Sequence, residues 1–82
     1  MDGALVEEIT SHVIALKRNV DEMVEARKVA NRLEKAYDKA VCYHDTVLPY
    51  FEIIRYHADH LELIVDDEMW SLPKYRELLF IR

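Results

Sequence analysis

Hydrophobic positions along the chain fall into two helical stripes. Leu5, Ile9, Val13, Leu16, Val20 and Met23 recur at steps of three or four, which puts them on one face of a helix over about residues 4–25, helix A. From Ala30 a second stripe runs through Leu33, Tyr37, Ala40, His44, Val47, Phe51, Ile54, Ala58, Leu61 and Val65 in alternating steps of three and four. That spacing is a heptad seam and predicts a long helix B over about residues 30–66. Leu33, Tyr37, Phe51, Ile54, Leu61 and Val65 are its expected core members.

The two stripes are out of phase by one residue. Extending the first beyond Met23 reaches Arg27 and Glu34, whereas extending the second backward reaches Ala26 and Asn19. A turn or bend near Glu25 to Asn31 accounts for this, and Pro49 then sits mid-helix, deletes one hydrogen bond and kinks helix B. The alternative is one continuous helix to about Tyr43 with the turn at His44-Asp45-Thr46. There Asp45 or Thr46 is the N-cap and Pro49 lies harmlessly in the first turn.

After Val65 the carboxylates Asp66-Asp67-Glu68 sit at the unfavourable negative end of a helix and predict its stop. Ser71 reads as an N-cap and Pro73 as a first-turn residue of a short helix over about residues 72–79. The expected fold is all-α, an antiparallel helical hairpin or bundle with one long and one short C-terminal helix, in a single domain over residues 1–82.

Composition sharpens this picture. With one glycine and two prolines, the chain lacks the punctuation that hairpin turns and phosphate-binding loops need, which excludes all-β and nucleotide-loop folds. An isolated chain this short buries only about 60% of its unfolded surface, so a partner surface is expected. Sixteen acidic residues outnumber eleven basic ones, and no basic run exceeds two, which argues against nucleic acid. No stretch has the length of a membrane span, Met1-Asp2-Gly3 is unlike a basic signal peptide, and Cys42 has no disulfide partner. A cytoplasmic location is the expectation.

Candidate chemistry is sparse. His57 and His60 are spaced i, i+3 and with Asp59 or Glu62 offer a partial ligand set, but a structural metal site wants four ligands. Surface or interface histidines are the plainer reading, and His12 and His44 have no patterned partner. The acidic pairs Glu7-Glu8 and Asp21-Glu22 point in different directions around a helix and read as solvated faces. Tyr43, Tyr50 and Tyr56 lie beside the seam, where a ring packs and its hydroxyl reaches water. The apolar residues Trp70, Leu72, Tyr75, Leu78, Leu79 and Phe80 form a tail that suits docking onto another surface.

The run from Asp59 to Phe80, with its Leu-Ile-Val helix, acidic turn, Trp70, Pro73, Tyr75 and Leu78-Leu79-Phe80, resembles the C-terminus of type III glutamine synthetases. The upstream Tyr43-His44-Asp45-Thr46-Val47-Leu48-Pro49 is similar to the segment that precedes it in that family. One departure is Ser71, where the family pattern has a second proline. The resemblance covers about Val41 to Arg82 and implies a parent enzyme that joins ammonia to glutamate with ATP and divalent metal in a ring-shaped homo-oligomer. It carries no catalytic, cofactor or metal residue onto this chain. The implied role is a non-catalytic helical packing and assembly segment, whose partner is the rest of the parent or a neighbouring subunit.

Two other classes fit parts of the pattern. A free-standing coiled-coil adaptor uses the long seam but has no evident use for the apolar tail. A small helical enzyme of the chorismate mutase type needs converging cations, for which Arg18, Lys28, Arg32 and Lys39 are available without a pattern that aims them at one pocket. The isolated chain is expected neither to make glutamine nor to hydrolyse ATP, because it lacks a phosphate cradle and a metal-carboxylate cluster. Saturable ATP turnover by the purified chain is the result that contradicts this.

Overall fold

In the computed structural model, the described residues are 3–80 for the backbone and run through Glu68 for the side chains. Helix α1 spans Gly3–Asn31, α2 spans Ala36–Cys42, a π-helical turn spans Tyr43–Val47, and α3 spans Leu48–Phe80. The last three are contiguous, so the molecule is a hairpin of two long helical arms. The arms run antiparallel, with His12 opposite His57 and Asn19 opposite Tyr50. It measures 66 × 23 × 14 Å, with a radius of gyration of 19.5 Å, against about 12 Å for a compact domain of this length.

The arms reverse at residues 32–35, between the two positions the sequence suggested and just past the first of them. Helix α1 has no phase break near residue 25, because its packed row is Leu5, Ile9, His12, Leu16, Asn19, Met23, Ala26 and Ala30, an unbroken alternation of four and three. Two short bonds, Arg32 N–H to Val29 O and Leu33 N–H to Ala30 O, each 3.2 Å, close its last turn. Lys35 then takes an ordinary extended conformation (φ −82°, ψ 131°), which breaks the helix without glycine or proline. The Tyr43 hydroxyl donates to Asn31 Oδ1 at 3.0 Å and ties the start of the second arm to the end of the first.

Pro49 leaves its mark as a π turn. A proline at this position has no N–H for the Asp45 carbonyl and its ring crowds that carbonyl in a regular α-helix. The turn widens instead, with Leu48 N–H bonding back to Tyr43 O, and the Thr46 hydroxyl donates to Cys42 O at 2.7 Å. Tyr43 and Val47, four apart, both face α1 through this turn.

On the second arm the packed row is Tyr43, Val47, Tyr50, Ile54, His57, Leu61 and Ile64. Ile54 and Leu61 therefore lie at the interhelical face. Phe51 is 52% exposed and Val65 48%, because the packed positions between the shared ones fall one residue earlier than the hydrophobic pattern implies. Leu33 lies in the loop, and Tyr37, 78% exposed, lies on α2 before the arms meet closely.

The stop expected at Asp66-Asp67-Glu68 and the separate short helix over 72–79 give way to one helix that runs through Ser71 and Pro73 to Phe80. An unfavourable charge near a helix end costs only about 0.3–1 kcal/mol, less than what continued hydrogen bonding of an established helix offsets. Proline's fixed φ is itself helical, and the one hydrogen bond that Pro73 forgoes does not end the helix. The side chains of Trp70, Leu72, Tyr75, Leu78, Leu79 and Phe80 lie outside the described residues.

Core is scarce. Ala30 (0% exposed), Val47 (2%) and Asn19 (6%) are the buried residues among those described. Ala30 and Val47 mark the tight end near the loop, where a small residue lets the arms approach. Ala30→Leu is expected to cost about 1–3 kcal/mol through overpacking, whereas Val13→Leu, half exposed, should stay within about 0.5 kcal/mol of the parent. Thermal unfolding of the two variants side by side checks this ordering.

Candidate functional site

Polar residues occupy the middle of the seam. His12 and Asn19 stand on α1 where Val13 and Val20 of the hydrophobic stripe were expected, and His57 faces His12 from α3. The His12 and His57 rings meet with Nδ1 to Nδ1 at 2.8 Å. His60 stacks on His12 with ring centres 5.4 Å apart and an interplanar angle of 25°. Tyr56 packs against both α3 histidines, 5.0 Å from His57 and 4.2 Å from His60. His60 Nδ1 lies 2.8 Å from the Tyr56 carbonyl; because a carbonyl only accepts, His60 donates from Nδ1.

The His57 imidazole is held below its ordinary range, first by desolvation and then by the charges of His12, His60 and Arg18. Asn19 is satisfied locally, since its Nδ2 donates to Ala15 O at 2.8 Å. No buried side-chain nitrogen or oxygen among the described residues lacks a partner.

The two flanks of the seam differ. On one, shallow grooves open between the arms, lined by Leu5, Glu8, His60, Leu63, Ile64, Asp67 and Glu68 in one case and by Asn19, Glu22, Asp45, Thr46, Pro49, Tyr50 and Ile53 in the other. Glu22 meets the Tyr50 hydroxyl there and, with desolvation as the larger cause, raises that phenol above its usual range. The opposite flank carries Val6, Val13 and Val20 from α1 and Phe51, Ala58 and Val65 from α3, each one residue on from a packed position. Val6, Val13, Val20, Phe51 and Val65 are all exposed there. The stripes read from the sequence contain Val13, Val20, Phe51, Ala58 and Val65 of this flank as well as about half of the true seam.

Neither groove is lined by a lysine or arginine, so Arg18, Lys28, Arg32 and Lys39 do not serve a dicarboxylate pocket in them. Lys28 instead pairs with exposed Glu25 at 3.1 Å. Among the described residues no group of three or more His, Cys, Asp or Glu side chains could hold a metal ion, and no helix is long and apolar enough to cross a membrane. Cys42 is a free, partly exposed thiol whose sulfur lies 3.6 Å from Thr46 Oγ1.

The chain is 56% identical over 78 residues to a protein named glutamine synthetase from Bacteroides fragilis (strain YCH46), an alignment that takes in 95% of this chain. This chain is homologous to a segment of glutamine synthetase. The type-3 glutamine synthetase of Dictyostelium discoideum is 32% identical over 79 residues, covering 88% of this chain. The chain spans 11% of the length of each of these relatives. No protein-family profile and no solved structure matches it. The similarity therefore extends through α1 as well as the later segment whose residues carry the resemblance, and it concerns a helical piece of the synthetase.

Polarity hid the seam. His12, Asn19 and His57 interrupt the apolar repeat, and a hydrophobic count passes over them in favour of the adjacent valines and phenylalanine. The signal that could have found them is the heptad itself, since Ala26 and Asn19 continue the helix B phase backward through His12 to Leu5. A buried polar residue in such a seam fixes register at a cost in stability. Asn19→Leu is accordingly expected to raise the melting temperature of the 82-residue chain while broadening its oligomer distribution in sedimentation. A lower melting temperature with a sharp single species contradicts that role.

Proposed function

We propose that this chain is a non-catalytic packing and assembly element of a type III glutamine synthetase, in which it is the terminal helical segment. The observation that carries the reading is the open apolar flank: Val6, Val13 and Val20 beside Phe51 and Val65, on a hairpin with almost no core of its own. Helices that face a multi-helix core carry an apolar stripe wider than the two positions a helix pair uses, and both arms have this extra row. The occupant of the flank is the remainder of the parent polypeptide or a neighbouring subunit of its homo-oligomer. The apolar tail from Trp70 to Phe80 extends the same docking role beyond the described side chains.

In this reading the parent supplies the chemistry, the ATP-dependent joining of ammonia to glutamate with divalent metal, in the cytoplasm. The hairpin contributes no ligand to nucleotide or metal. Its effect on turnover is indirect, through the placement of domains or subunits.

Val13→Glu with Phe51→Glu in the full-length enzyme tests the flank, and a truncation after Asp67 tests the tail. Burying an unpaired carboxylate is strongly unfavourable, so the charged variant is expected to shift the oligomer toward smaller species, with turnover falling in step. Size-exclusion chromatography with light scattering and an activity assay on the same fractions read both. An intact oligomer with full turnover in both variants overturns the assembly role. An intact oligomer that has lost turnover places the segment at the active site instead.

A further inference from the structure

We propose that the His12–His57–His60 cluster is a proton-operated latch on the seam, tying α1 to α3 while the His12–His57 pair keeps a free lone pair and releasing that layer when both rings are protonated. The argument is one of hydrogen-bond chemistry. Two Nδ1 atoms 2.8 Å apart form a hydrogen bond only if one carries hydrogen and the other presents a lone pair. The pair therefore holds its geometry when neutral or singly charged. With a second proton both nitrogens are donors, and two cations face each other at the same distance.

Among the described residues, only α1 and α3 pack around this layer. From α1 it is faced by His12, with the Arg18 cation near His57 and Glu8 in the groove beside His60. From α3 it is faced by Tyr56, His57 and His60, with Asp67 and Glu68 lining the same groove as His60. These acids stand at the His60 side, and neither His12 nor His57 is hydrogen-bonded to a carboxylate among the described residues. His60 Nδ1 is committed to the Tyr56 carbonyl and takes no part in the His12–His57 bond.

The sign follows from the depressed His57 group. A histidine that folds with a lowered pKa contributes stability that is complete above its ordinary value of 6.5 and is lost as pH falls from there through the lowered value. The layer between Ile9–Leu16 and Ile54–Leu61 is thus the acid-labile part of the hairpin, while the Ala30–Val47 end has no such group in its packing.

The test is amide hydrogen exchange on the full-length protein at about pH 7.5 and about pH 5.5, corrected for intrinsic exchange rates, together with exchange of the histidine C2 protons, which gives each ring's titration midpoint. Protection of peptides over residues 9–16 and 54–61 is expected to fall severalfold at the lower pH, the direction that the lowered His57 group implies, with the Ala30 and Val47 peptides unchanged. His57→Phe keeps a ring at the position and is expected to abolish the pH dependence. Wild-type protection that is the same at both pH values overturns the latch, as does an equal loss in His57→Phe. Should that variant fail to fold, the wild-type titration still decides: a His57 midpoint at or above 6.5 contradicts the proposal and one below it, with the selective loss of protection, supports it.

Discussion

The α1–α3 seam is the contact on which the rest of the chain depends, because neither arm has another partner within the described residues. Along it, aliphatic residues such as Ile9, Leu16, Met23, Ile54 and Leu61 alternate with His12, Asn19 and His57. A two-helix seam of this kind removes few side chains from water completely, and its polar layers give up stability in return for a single register. Pairing His12 with His57 across the arms is possible in one alignment only. The same alignment sets Asn31 within reach of the Tyr43 hydroxyl.

From that seam the outer surface follows. Placing the packed rows at Leu5–His12–Asn19 and Tyr50–His57–Ile64 turns the following residues, Val6–Val13–Val20 and Phe51–Ala58–Val65, onto one flank. A soluble hairpin living alone has little reason to carry that row, and contiguous exposed apolar patches mark contact surfaces. The homology fits, since the relatives are proteins of which this chain spans 11%. The other flank is acidic at Glu8, Glu22, Asp45 and Asp67 and suits water.

Much of this was legible from residue order, and the rest was hidden for identifiable reasons. Long helices and the hairpin class were readable because apolar residues recur at helical spacing and because glycine and proline are nearly absent. The family resemblance was readable in the run from Asp59 to Phe80. Register was not: Val13, Val20, Phe51 and Val65 form as good a stripe as the true seam, and only a tertiary partner decides which row packs inward. The turn at residues 32–35 carries no glycine or proline, so nothing local announced it. The π turn before Pro49 was foreshadowed only as a kink, since a proline removes one bond but does not say how the backbone will absorb the loss. The histidine cluster joins residues 45 apart in sequence, a separation that spacing rules do not reach.

The central claim is that the flank of Val6, Val13, Val20, Phe51 and Val65 is exposed on the hairpin alone and covered in the intact protein. Hydroxyl-radical footprinting reads side-chain exposure directly and can be run on both the isolated chain and the full-length enzyme. The account predicts strong oxidation of Phe51 and Val13 in the isolated chain and protection of about tenfold or more in the full-length enzyme, a change in solvent access comparable to burying a core side chain. Tyr37, off the seam, serves as the reference. Equal oxidation of Phe51 and Val13 in both contradicts the account.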